Sequence, residues 1–277
     1  MLIHLQGINK MLKVHVLLTK EDILPEKLAT GNKVAVVLDI LLATTTIVTA
    51  LKNGATEVIP VLNPDEAIKV SSQFENGQAL MAGELHAEPI DGFFYPGPIE
   101  ISTRIHGKTL ILSTTNGTVA LHKAAHANLV YISSLLNNAA VAQALLKSSK
   151  DETIVVICSG NSGEFSLEDF YGAGHLIANI TCRTNQVIEL NDAGKAALAF
   201  YDSHSSNPYS VLAASRVGLL LIKYGLKEDL LLSSTSGSYK YPETGTFEVT
   251  SNPSGGTLSC ETNKESVATC SISNNVV

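Results

Sequence analysis

The chain has 277 residues, 45% of them hydrophobic and 16% charged, which is apolar material for one large core or two small ones. Nineteen Lys and Arg against 26 Asp and Glu leave a net charge of -7, and no stretch gathers the basic residues into the stripe that nucleic-acid binding requires. Four cysteines are too few for a disulfide scaffold and suit a reducing, cytoplasmic compartment, while no uncharged span is long enough for a membrane helix.

Residues 1–10 read as a short added leader without the pattern of a secretory signal. Leu12 to Leu18 is strand-like, and Lys33–Asp39 is a continuous apolar run that suits a strand buried on both faces. Thr44–Lys52 is a predicted helix ended by Asn53-Gly54, and Thr56–Leu62 is a strand. Asn63-Pro64 opens a helix to about Phe74. Ala79–Ala82 and Lys108–Ser113 are strands, Asn116–His126 a helix and Leu129–Ser133 a strand. Asn137–Lys147 is a helix and Thr153–Cys158 a strand. Ser166-Leu-Glu-Asp169 resembles a capping box and starts a helix to about Ile180. Helices follow near Asp192–Tyr201 and Ser210–Tyr224. The alternation predicts an α/β fold, a largely parallel sheet with helices on both faces. From Ser233 the chain turns rich in Ser, Thr, Asn and Gly. A loosely attached tail is expected there, with a short β appendage (Thr246–Thr250, Thr257–Cys260) as the competing reading.

Ligands of parallel sheets bind beyond the carboxyl ends of the strands, where helix N-termini offer free amides to anions. Four segments fall at such places. In Asp39-Ile-Leu-Leu-Ala-Thr-Thr-Thr46 an acid ends a buried strand, and Thr44 and Thr45 open the next helix. Ser113-Thr-Thr-Asn-Gly-Thr118 offers Thr114, Thr115, Asn116, Gly117 and Thr118 to a phosphate. Between Cys158 and Asp169, Gly163 and Ser166 could approach a ligand, and Glu164, Glu168 and Asp169 are oxygen donors of the kind magnesium takes. Gly83-Glu84-Leu-His86 adds Glu84 as a metal ligand and His86 as a general acid. Simple turn and capping roles compete with each of these readings. Cys158 lacks the arginine of a Cys-x5-Arg loop, since Glu164 stands there, and reads as a small buried residue. His122 and His126, four apart, read as a helix face rather than a metal pair.

Together these segments resemble the ComB family of 2-phosphosulfolactate phosphatases from about Met11 to Leu232. The carriers are Val36-Val-Leu-Asp-Ile-Leu-Leu-Ala-Thr-Thr-Thr-Ile-Val-Thr-Ala-Leu51, Gly83-Glu84, Pro89-Ile-Asp-Gly-Phe93, Gly107 to Thr118 and Gly163 to Asp169, with Asn191-Asp192 and Ser215-Arg-Val-Gly218 as weaker matches. The resemblance implies magnesium-dependent hydrolysis of a small-molecule phosphate ester. In that family the substrate is 2-phosphosulfolactate, an intermediate towards coenzyme M. The expected catalytic residues are Asp39, Glu164 and His86, with Asp39, Glu84, Glu168 and Asp169 around the metal. No nucleic-acid or membrane partner is expected, and a homodimer is left open.

Three departures stand out. Leu42 replaces the arginine of the family's Asp-Val-Leu-Arg-Ala-Thr, and Leu85 that of its Gly-Glu-Arg. The segment Gly92-Phe-Phe-Tyr-Pro-Gly-Pro98 lacks an acid, an Asn and a Ser that the family carries. Arginine is the preferred side chain for bidentate anion recognition, so weak activity on phosphosulfolactate is expected unless His86, Arg104, Lys108 or Arg216 supplies the charge. A different enzyme with a less anionic substrate, or a non-catalytic ligand-binding relative, are the alternatives.

Overall fold

The alternation in Met11–Leu17 (β1) turns Leu12, Val14 and Val16 inward and leaves Lys13 and His15 exposed, so only one face of this strand is covered. The computed structural model describes residues 11–148, 152–236, 249–250, 257–262 and 268–273; the expected leader lies outside them. A single 3-10 turn (Lys20–Asp22) and the short α1 (Pro25–Leu28) lead to β2 (Lys33–Leu38), which is buried on both faces as its continuous apolar run predicts. The helix α2 (Ala43–Lys52) follows, then β3 (Glu57–Val61) and α3 (Pro64–Ser71), whose cap is the Asn63 side chain on the Glu66 amide. Next come β4 (Ala79–Leu85), the two-residue β5 (Glu88–Pro89) and α4 (Pro98–Ser102). Then follow β6 (Thr109–Ser113), α5 (Gly117–Ala124), β7 (Leu129–Ser133), α6 (Asn138–Ser148) and β8 (Thr153–Cys158). The longest helix, α7 (Leu167–Thr181), precedes β9 (Val187–Leu190) and α8 (Asp192–His204).

The strands make two sheets rather than one. The first has the order β7-β2-β8-β1-β9 and is parallel throughout. In the second, β3, β6 and β4 are parallel neighbours and β5 runs antiparallel along β4. The main core spans both sheets, with a smaller cluster of Ile59, Val61, Ala67, Val70 and Ile111 under α3. The carboxyl ends of β2 and β8 face those of β4 and β6, because residues after all four strands line one cavity.

The helix expected over Ser210–Tyr224 is two helices, α9 (Pro208–Ala214) and α10 (Arg216–Lys223). Ser215 breaks it in extended conformation (φ -72°, ψ 161°), donating its hydroxyl to Leu212 O and capping the Gly218 amide. The last helix among the described residues is α11 (Lys227–Ser233). Beyond residue 236 the described residues are strands: β10 (Val249–Thr250), β11 (Thr257–Thr262) and β12 (Ala268–Ser273), with Cys260 of β11 opposite Val58 of β3. Residues 246–248 of the expected first tail strand lie outside the described residues.

One close approach fixes the helix layer. A Cβ on Gly174 of α7 would stand 2.7 Å from Tyr201 Cβ and collide with the Ala197 carbonyl of α8. Gly174→Ala is expected to push these helices apart and cost about 1–3 kcal/mol, read as a melting-temperature drop of several degrees. An unchanged melting temperature would show that α8 yields without cost.

Candidate active site

The cavity measures about 230 Å³, room for a small ligand only. Asp39 comes to it from the end of β2, Glu84 from β4, Thr114, Thr115 and Asn116 from the turn after β6, and Glu168 and Asp169 from the first turn of α7. The segments of the sequence expectation thus converge, though far apart in the chain. Leu42, His86, Tyr95, Asn161, Ser162 and Arg216 complete much of the lining.

Four carboxylates share this space, and their hydrogen bonds give them different tasks. Asp169 is spent on the backbone: Oδ1 accepts from the Ile40 amide at 2.8 Å and Oδ2 from the Gly160 amide at 3.2 Å, which ties the turn after β8 to the turn after β2. Glu84 is likewise engaged, accepting from the Thr115 amide at 2.7 Å, the Ala87 amide at 2.6 Å and the Thr115 hydroxyl at 3.1 Å. Asp39 lies close to the Ala43 amide, and Glu168 close to the hydroxyls of Ser215 and Ser166 and to its own amide, without clamping a second turn as Asp169 and Glu84 do. These last two carboxylates are the ones left to meet a ligand.

Their electrostatics follow from burial and crowding. Desolvation pushes Asp39 up to about 7, and the charges of Glu84 and Glu168 push the same way; the Ala43 amide and Lys20 act against them. Burial raises Glu168 also. Asp169 is held well above the usual carboxylate range by burial and then by Asp39 and Glu168. Burial and the nearby carboxylates push the Cys158 thiol well up, which makes it a poor nucleophile, as its 1% exposure also suggests. Burial and neighbouring carboxylates keep the Tyr95 phenol protonated as a hydrogen-bond donor.

Gly117 is required by this packing. A Cβ there would lie 2.6 Å from Asp39 Oδ2 and collide with Ala43 Cβ, so α5 and α2 can clasp Asp39 only without a side chain at 117.

Most of the threonines turn away from the ligand space. Thr44 and Thr45 are fully buried and bond the carbonyls of Asp39 and Ile40 at 2.8 and 2.9 Å. Thr118 is fully buried and exchanges bonds with Thr114 at 2.9 to 3.2 Å. They brace the two turns instead of lining the cavity. Gly117, Gly163, Glu164 and Ser166 also lie off the lining: Glu164 is exposed and bridges to Asn161 through the backbone, and Ser166 caps α7. His122 and His126 bond the carbonyls of Pro60 and Lys123 and have no part in the cavity.

Of the side chains named as replacements for the missing arginines, Arg216 and His86 reach the cavity. Arg104 instead lies over the Phe94 ring at 4.7 Å and pairs with Glu100 at 3.4 Å. Leu42 lines the cavity, whereas Leu85 is half exposed and lies away from it. Lys20 was absent from the sequence expectation. A lysine just past the end of a parallel strand was the available signal, since it stands at the rim where ligands bind.

The model of the family described as 2-phosphosulpholactate phosphatase matches residues 17–241. The chain belongs to this family. Relatives named probable 2-phosphosulfolactate phosphatase agree with that span. The protein of Clostridium perfringens (strain SM101 / Type A) is 40% identical over 228 residues, covering 81% of this chain and 90% of its own. That of Symbiobacterium thermophilum is 38% identical over 210 residues, 75% of this chain and 89% of its own. That of Caldanaerobacter subterraneus subsp. tengcongensis is 40% identical over 201 residues, 72% and 82% respectively. Among the described residues no helix of this family member is long and apolar enough to cross a membrane.

Proposed function

We propose that this 2-phosphosulfolactate phosphatase family member hydrolyses the phosphate monoester of a small organic acid, with Mg²⁺ as cofactor and 2-phosphosulfolactate as the first candidate substrate. The observation that carries the reading is the meeting of Asp39, Glu168, Asn116 and Arg216 in one small cavity beyond the strand ends. Acids and donors stand there together, as a metal-held phosphate requires.

The donor set fits magnesium. Every candidate ligand is an oxygen, and two carboxylates, Asp39 and Glu168, do not tie separate turns together as Asp169 and Glu84 do. Magnesium characteristically takes one or two carboxylates and keeps several waters. Among the described residues no three acid, His or Cys side chains form a ready chelate, so waters and substrate oxygens would have to complete the ion's shell. When bound, the ion would supply Lewis-acid polarisation of the phosphoryl oxygens. Water attacks phosphorus as the ester P–O bond breaks; Asp39 accepts a proton of that water, and His86 at the cavity wall gives one to the leaving oxygen. Asn116 and Arg216 hold the anion. Glu84 and Asp169 keep the turns in place.

A second reading, a less anionic substrate on the same scaffold, is favoured by Leu42, an apolar side chain in the lining where the family carries arginine.

The test is phosphate release from a panel of monoesters that includes 2-phosphosulfolactate and esters with fewer acid groups. Release is expected with Mg²⁺, absent with EDTA and restored by excess Mg²⁺. No release from any ester would overturn the phosphatase reading, and full activity in EDTA would overturn the metal. Preference for a monoacid ester would select the second reading.

A further inference from the structure

Asn116 stands at the N-terminal end of α5, where an asparagine ordinarily turns its side-chain oxygen onto an amide of its own helix. Here it makes no such cap. Its Oδ1 accepts instead from Lys20 Nζ at 2.8 Å and from the Ser162 amide at 3.0 Å. An ammonium and a backbone N–H can only donate, so the carboxamide has one sensible orientation, with oxygen towards Lys20 and Ser162. The amino group Nδ2 then has no partner among the described residues, on a side chain that lines the cavity.

The backbone is arranged to serve this contact. Ser162 takes a positive φ of 54°, uncommon for a residue with a side chain, and its amide meets Asn116. Gly160 (φ 70°) lets the same turn fold close to Thr19, the residue before Lys20. Lys20 itself is only 6% exposed and is not part of the lining. Burying an ammonium is costly unless it is paired and hydrogen-bonded, and besides Asn116 its acidic partner is Glu21 at 2.9 Å. Three turns, after β1, β6 and β8, are thus joined through one carboxamide.

We propose that Lys20 is a positioning residue: from behind Asn116 it locks the carboxamide, so that Nδ2 presents its N–H groups to an anionic oxygen of the substrate in the cavity. The proposal rests on the phosphatase reading for the nature of the anion, and on geometry alone for the lock. Without the ammonium, the Ser162 amide is the one remaining donor to Oδ1 among the described residues. The carboxamide can then rotate and offer its oxygen, which repels an anion.

The experiment uses the full chain and two readouts. The first is the Asn116 side-chain amide signal in ¹⁵N-labelled, ligand-free protein, assigned by its loss in Asn116→Ala. It should be sharp in the native chain, shifted or broadened in Lys20→Met and recovered in Lys20→Arg. The second is the affinity for inorganic phosphate with Mg²⁺ present, with KM for an ester read alongside kcat. Lys20→Met and Asn116→Ala should each weaken phosphate binding about tenfold, the worth of one charge-assisted hydrogen bond. The double variant should be no weaker than Asn116→Ala, because Lys20 acts through Asn116. Should Lys20→Met fail to fold, Lys20→Gln gives the same comparison. Additive losses would mean that Lys20 acts on the anion directly, and an unmoved Asn116 signal in Lys20→Met would mean that there is no lock; either overturns the proposal. A native chain that neither binds phosphate nor hydrolyses any ester removes the phosphatase reading and the anion role with it, and the amide signal still reports the lock separately.

Discussion

Asp39→Asn is expected to lose hydrolysis by about 10²-fold or more while gaining stability above neutral pH. The two effects have one cause. Asp39 is buried among Glu84 and Glu168 and titrates at about 7, against an ordinary value of 3.8. Between those values the folded chain keeps a proton that the unfolded chain has released. The stability contributed by protonated Asp39 is therefore whole below 3.8 and is lost as pH rises through 7. Asparagine cannot ionise, so the variant is spared that loss, which is on the order of a few kcal/mol for a shift of this size. In divalent-free buffer at pH 8 its melting temperature should exceed that of the native chain by several degrees, and at pH 4 the two should nearly agree. Magnesium should raise the native chain more than the variant at pH 8. Equal melting temperatures at pH 8 would show that Asp39 is not crowded, and full activity of the variant would remove it from the chemistry.

Arg216→Ala is expected to lower kcat/KM on a phosphorylated acid by about 10- to 100-fold, mostly through KM. Arg216 begins α10 next to Ser215, which lies beside Glu168, and it lines the same cavity as the carboxylates. Among the described residues it has no carboxylate partner, and it is the lysine or arginine in the lining. An arginine that lines the same small cavity as a cluster of acids suits a ligand that carries both a metal-held phosphate and a second anion. Arg216→Lys should recover part of the loss, since lysine keeps the charge without the planar fork. A phosphate ester with no acid group should lose far less than a phosphorylated acid. Equal losses on both would assign Arg216 to the phosphate, and no loss on either would remove it from recognition.

Much of the fold could be read from local pattern. The apolar runs of β2 and β8 announce strands buried on both faces, and Asn63-Pro64 and Ser166 mark helix starts through their caps. The acid at 39, the turn at 113–118 and the acids at 168 and 169 stand out because each follows a strand and opens a helix. Their order along the chain is also what the family resemblance rests on. These features depend on residues a few positions apart, and local spacing is enough to specify them.

Tertiary structure decided the rest. An apolar run says that a strand is buried but not which strand it pairs with, so the division into two sheets facing across a cavity is invisible in the runs themselves. The Ser210–Tyr224 segment has helical periodicity throughout, yet the Ser215 hydroxyl, bonded to Leu212 and Gly218, breaks it. Hydroxyl-rich turns announced phosphate ligands, but Thr44, Thr45 and Thr118 spend their hydroxyls on their own backbones, because buried polar groups must be satisfied nearby. Of the four acids, packing alone distinguishes Asp169 and Glu84, clamped on backbone amides, from Asp39 and Glu168, which face the ligand space. Lys20 acts on Asp39, and Arg216, almost 200 residues further on, lines the cavity that Asp39 reaches, because the strand ends and α10 close around one space.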